Sequence, residues 1–166
     1  TRECDAALAL DPGNYQFRSC SWAFIALGKT DRANDFIRLD AGSEWAKYVM
    51  PYLLVRENKI EEAREAAKQM PSSPRYYRDL MEACLESKTS ELESMAHEAE
   101  TTEPKEPDPE VAYRRGSLFA FCNQQSAAFH LLNNAIARDY CSYSQLRYDS
   151  LFSKLRTTNA LDQTLS

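Results

Sequence analysis

Glycine is scarce in this chain, with four residues among 166, and valine and isoleucine are few as well. That leaves little material for strands or for Gly-rich phosphate loops. The plentiful alanine, leucine, glutamate and arginine favour helix throughout. No apolar run approaches the eighteen or so residues of a membrane span, so a membrane is not an expected partner. The five cysteines (Cys4, Cys20, Cys84, Cys122, Cys141) form no close pair. A zinc site or a disulfide framework would show such pairs, so the expectation is buried free thiols in a reducing cytoplasm. The two histidines, His97 and His130, have no ligand-type neighbours in sequence. They read as solvated or half-buried helix residues, not as metal ligands or catalytic bases. The chain lacks an initiator Met and a signal-peptide pattern, and Thr1 starts partway along a helix. It reads as a piece of a longer protein.

Charge is distributed unevenly. Residues 57–110 carry fifteen acidic side chains against seven basic, whereas residues 111–166 carry three against six. An acidic middle with no basic stripe argues against nucleic acid as a direct ligand; it is read as a solvated helix face. Ser/His/Asp constellations, metal-ligand spacings and isolated carboxylate pairs are missing too. Adjacent acids such as Glu61 and Glu62 belong to an ordinary charged face. The expectation is a protein without catalytic activity, cofactor or metal.

What the chain does have is a recurring helix–corner–helix. Leu10–Ala41 opens on Asp11-Pro12-Gly13-Asn14, where Pro12 ends one helix and Asn14 caps the next. It turns again at Gly28-Lys29-Thr30-Asp31, where Thr30 or Asp31 is the expected cap. Within it, Phe17, Cys20, Ser21, Phe24, Ala33 and Ile37 alternate bulky and small at fixed spacings. Small residues let paired helices approach and bulky ones fill the grooves between ridges. Lys47, Met50, Pro51, Leu54, Ala63 and Ala67 repeat the spacing around a corner at Glu57-Asn58-Lys59. Pro51 falls inside a helix there and predicts a kink. Tyr77, Leu80, Met81 and Cys84 begin a third unit, and Leu92 and Ala96 continue it only if the corner near Lys88-Thr89-Ser90 is one residue short. Thr101–Pro109 is Pro-rich, acidic and read as a loop. Ala112, Arg115, Gly116, Phe119, Ala128 and Leu132 form a fourth unit around Asn123-Gln124-Gln125. Asp149 then caps a short helix whose Leu151, Phe152 and Leu155 cover the end of the core, over Phe129, Leu132 and Ile136.

These spacings resemble the tetratricopeptide repeat, W-x2-L-G-x2-Y followed by Ala and a second apolar residue. The resemblance covers residues 10–138. It implies an all-α, right-handed superhelical solenoid of antiparallel helix pairs, about four repeats over 1–142, with a C-terminal capping segment over 143–166. The stretch from Ala128 through Arg156 is also similar to the ends of repeat regions attached to bacterial serine/threonine kinases and winged-helix regulators of the acidobacterial type. That similarity implies a sensing or scaffolding region whose partner is a protein or peptide, with self-association into a homodimer as the alternative. Registering the repeats places Tyr15, Arg18, Trp22, Trp45, Tyr48, Tyr52 and Arg56 on the concave face, followed by Tyr113 and Ser117. Aromatic and Arg side chains make strong anchors at little entropic cost. Each of these aromatics either lines that groove or packs between repeats. The carboxylate-clamp version of the family needs Lys and Asn where this chain has Arg18 and Trp22.

Overall fold

A computed structural model describes residues 1–72, 75–101, 108–140 and 143–156, and among them every regular element is helical, with no strand. The chain divides into two compact units, Thr1–Ser73 and Pro74–Ser166. The first holds α1 (Arg2–Leu10), a 3-10 turn (Tyr15–Ser19) that runs into α2 (Cys20–Ala26), then α3 (Thr30–Arg38), α4 (Glu44–Arg56) and α5 (Ile60–Ala67). The second holds α6 (Arg75–Leu85), α7 (Thr89–Thr101), α8 (Pro109–Phe121), α9 (Gln125–Ala137), α10 (Tyr143–Tyr148), a 3-10 turn (Ser150–Phe152) and α11 (Ser153–Arg156). Residues 102–107, most of the acidic Pro-rich loop, lie outside the described residues, as does Cys141.

One kind of corner makes all four hairpins. Gly28, Asn58, Ser87 and Asn123 adopt left-handed φ values of 67°, 59°, 56° and 65°. In each case the following amide donates to the carbonyl five residues back: Lys29 to Phe24 at 2.9 Å, Lys59 to Leu54 at 3.0 Å, Lys88 to Ala83 at 2.9 Å and Gln124 to Phe119 at 2.9 Å. This is the Schellman closure, which satisfies a carbonyl the helix end would leave open. The next helix begins one residue later, so the chain folds straight back and α2/α3, α4/α5, α6/α7 and α8/α9 pack as pairs. Lys29 thereby occupies the cap position of α3 and no side chain caps that helix, contrary to the expectation for Thr30 or Asp31. Asn14 and Asp149 do cap as expected, accepting from the Gln16 and Leu151 amides at 2.9 and 3.0 Å.

The corner also fixes the register. Phe24, Leu54 and Phe119 stand where the pattern has its last bulky position on the first helix. In the third hairpin Ala83 takes that place instead of Cys84, the shortening by one residue that the spacing predicts. Nine residues further on lie Ala33, Ala63, Leu92 and Ala128, all buried. Gly116 shows how close the fourth pair comes: a Cβ there would meet the Ala128 carbonyl oxygen at 3.2 Å and Leu132 Cγ at 3.3 Å. Pro51 sits inside an uninterrupted α4. Its cost of about 3 kcal/mol is offset by burial of Val49, Tyr52, Leu53, Leu54 and Val55 around it, each worth about 1.5–3 kcal/mol.

One expectation is overturned here. Four of the five cysteines are not free thiols. Cys4 bonds Cys20 across 16 residues, and Cys84 bonds Cys122 across 38, with Cα atoms 6.0 and 5.3 Å apart. Neither pair is close in sequence, because each joins the end of one helix to another helix that tertiary packing brings alongside. Residues 143–156 of the C-terminal segment pack chiefly on α8, with Leu151, Phe152 and Leu155 buried as is Leu132; residues 157–166 lie outside the described residues. Phe152 stacks edge-on against Tyr113 at 5.7 Å, and Lys154 Nζ donates to the Phe121 carbonyl at 2.9 Å. Phe129 and Ile136 stay half-buried.

Candidate functional site

At 3.6 residues per turn, α4 carries two unlike faces. Trp45, Tyr48, Tyr52 and Arg56 fall on one side; Ala46, Lys47, Met50 and Leu54 fall on the other. Each side forms a distinct surface of the first unit.

On the aromatic side the seven residues marked by the sequence come together in two groups. The Arg18 guanidinium lies 5.2 Å from the Tyr15 ring centroid and 5.5 Å from that of Trp45. Its Nη1 sits 3.1 Å from the Asp40 carboxylate. Trp22 meets Tyr48 and Tyr52 edge-on at 6.1 and 5.7 Å, and the two tyrosines are 5.5 Å apart. Arg56 Nη1 donates to the Tyr52 carbonyl at 2.8 Å, closing the last turn of α4. The ring pairs add about 0.5–1.5 kcal/mol each beyond burial.

Burial separates the members. Tyr52 is 1% exposed and is a core residue, not a groove residue. Trp22, Trp45 and Tyr48 rest half-buried against the cluster of Phe24, Ile25, Phe36 and Val49. Tyr15 is 52% exposed. The equivalents in the second unit point inward. Tyr113 is 5% exposed, between Tyr140 at 5.4 Å and Phe152 at 5.7 Å. Ser117 is 1% exposed, and its hydroxyl donates to the Arg114 carbonyl at 2.8 Å. Phe152 of the terminal segment covers Tyr113, and neither Tyr113 nor Ser117 is a surface position.

Sequence reading missed Arg32. Its Nε and Nη2 donate to Asp5 at 2.9 and 2.7 Å and its Nη1 to Asp35 at 2.8 Å. Its guanidinium also lies 5.0 Å from the Phe36 ring centroid and 5.9 Å from that of Phe24. The hydrogen bonds to Asp5 and then Asp35 hold its pKa above the ordinary value. The Arg32–Asp35 spacing is a local helix signal, but Asp5 lies 27 residues away and only the docking of α1 supplies it.

On its opposite face α4 lines a cavity of about 720 Å³ together with α3 and α5. Among the described residues no group of three His, Cys, Asp or Glu is placed to hold a metal ion. No helix among them is long and apolar enough to cross a membrane. Comparison of the chain with protein-family models, with curated proteins and with solved structures finds no match.

Proposed function

We propose that the chain is a non-catalytic protein-interaction module of the tetratricopeptide type, a right-handed solenoid serving as a regulatory region of a larger bacterial signalling protein. In this reading the first unit holds a peptide or protein segment on the face made by Tyr15, Arg18, Trp22, Trp45 and Tyr48. The observation that carries it is the Tyr15–Arg18–Trp45 stack. An arginine already oriented by Asp40 lies between two aromatic rings, one of which is half exposed. Such a stack offers a partner wide ring faces whose rotamers are paid for in advance, which is how interface anchors gain affinity. Tyr52 and Arg56 support the face from below and do not touch the partner.

A cytoplasmic placement was tied to free thiols, and two disulfides remove that basis. Paired cysteines of this kind favour an oxidising compartment, and we place the module there.

The test is a peptide selection against the chain, followed by Trp45→Ala and Tyr15→Ala. Loss of a central anchor weakens binding by at least about 2 kcal/mol, or roughly thirtyfold, with helical circular dichroism unchanged. Tyr52→Ala is expected to destabilise the fold instead. Normal binding by both folded ring variants places the site elsewhere.

A further inference from the structure

The cavity on the opposite face of α4 is independent of the aromatic stack, and its walls are charged in an ordered way. Ile37, Ala46, Met50 and Leu54 form an apolar floor, and Ala41, Gly42 and Ala66 keep it open because none carries a side chain large enough to fill it. Nothing lies within 4 Å of a Cβ built on Gly42. Along one bank run Glu61, Glu62 and Glu65 of α5; along the other stand Arg38, the last residue of α3, and Lys47 of α4. All five charged side chains are exposed.

These banks are not already neutralised by each other. Glu61 and Glu65 pair along their own helix with Arg64 and Lys68. Exposed pairs of that spacing contribute little, so a partner cation can replace them. Glu62, Arg38 and Lys47 form no ion pair among the described residues. An apolar trough with an acidic bank and a basic bank is complementary to one kind of ligand. That ligand has an apolar stripe with cations along one edge and anions along the other. A volume of about 720 Å³ falls within the range of built ligand sites, about 300–1,000 Å³. An apolar floor edged by opposite charges suits the mode in which an amphipathic helix lies in a groove.

We propose that this trough is a second binding site, which takes an amphipathic helix of a partner protein. Apolar anchors at i, i+3 or i+4 and i+7 would rest on Met50 and Leu54. Lys or Arg on one edge would face Glu61, Glu62 and Glu65, and Asp or Glu on the other would face Arg38 and Lys47. The helix direction is free to choose the match, since turning it end for end exchanges its edges.

The experiment uses three synthetic helical peptides with identical leucine anchors. One has a Lys edge and a Glu edge, one has two Gln edges, and one has two Glu edges. Binding to the intact chain is followed by titration at low and high salt. The Lys/Glu peptide is expected to bind about tenfold tighter than the Gln peptide and to lose that advantage in salt. In the exposed double variant Glu62→Lys/Glu65→Lys, the two-Glu peptide becomes the preferred ligand. Met50→Trp, which fills the floor, removes binding of all three while leaving Trp45-dependent binding in place. Equal binding of the Lys/Glu and Gln peptides would show a merely apolar trough and overturn the proposal. So would the absence of binding by any of them at millimolar concentration, or an unchanged preference in the folded double variant.

Discussion

The two units are built from the same corner and differ in what they do with their surface. Each contains two hairpins closed by a left-handed residue, with a small or medium residue buried nine positions past the anchored carbonyl. In the first unit Trp22, Trp45 and Tyr48 of the leading helices stay half-buried while Phe24 and Tyr52 are core, and α4 has an open cavity behind it. In the second unit the corresponding Tyr113 is enclosed between Tyr140 and the fully buried Phe152 of the terminal segment. The same repeat therefore leaves rings partly exposed where no described element of its unit covers them and encloses them where one does. The chemistry follows coverage more than residue type.

The disulfides divide along the same line and give the largest test. Cys84–Cys122 joins two leading helices near their corners and closes a 38-residue loop through the core of the second unit. Loop-closure arithmetic puts its loss, in Cys84→Ala/Cys122→Ala, at about 4 kcal/mol. Cys4–Cys20 closes a loop of 16, worth about 3 kcal/mol on the same arithmetic. It fastens α1, however, and α1 has no buried residue of its own. Removing that bridge should free α1, held then by Asp5–Arg32 and by Leu8, while α2 to α5 keep their protection. Hydrogen exchange by region reads both variants. Equal loss of protection throughout α2 to α5 and throughout α6 to α9 would erase the distinction between a staple and a tether.

Much of this architecture was legible because helix corners leave a chemical trace. A left-handed residue is tolerated mainly by Gly and Asn, so Gly28, Asn58 and Asn123 announced their corners. Ala33, Ala63 and Ala128 announced the crossings behind them. The third hairpin was harder to read, since Ser87 in the left-handed region is a weak signal and its register is one residue short. The bridges were not legible, because partners 16 and 38 residues apart meet only after the leading helices pack. Nor was the enclosure of Tyr52. A tyrosine in the third turn of a helix has the same spacing whether it faces a groove or a neighbouring ring. The trough behind α4 comes from small residues on three separate elements, Ala41, Ala46 and Ala66. Their clustering was the one available signal, and it becomes visible only when the helices are assembled.

A smaller effect is expected at the helix crossings, where the units should respond alike. Ala63→Leu in the first and Gly116→Val in the second both add volume at fully enclosed contacts. Each should lower stability by about 1–3 kcal/mol through overpacking. Gly116 should be the more sensitive, because its nearest neighbour is the backbone oxygen of Ala128 and that atom cannot rotate away. Chemical denaturation of the two variants measures this. An unchanged midpoint for Ala63→Leu would mean that α4 and α5 are not in the register described.

The smallest effect belongs to the covered side of the comparison and appears only in alkali. Tyr140 lies against Tyr113 at 5.4 Å, and its phenol is pushed up to about 12 from an ordinary 10.0. Burial is the main cause and the nearby Glu110 carboxylate adds to it, while Arg114 opposes. In the unfolded chain the phenol ionises near its ordinary value, so between about pH 10 and 12 the folded state holds more protons than the unfolded one. Stability must then fall as pH rises. The contribution is fully present below pH 10 and is lost as pH passes through 12. Tyr140→Phe removes the titrating group, so the variant's stability should decline less steeply than that of the parent across that window, with parallel behaviour below it. Phenolate absorbance followed during alkaline titration should also lose a late-ionising component in the variant. If the parent and Tyr140→Phe decline together from pH 10 to 12, the phenol is in contact with solvent, and the enclosure of the second unit's aromatic residues does not extend to Tyr140.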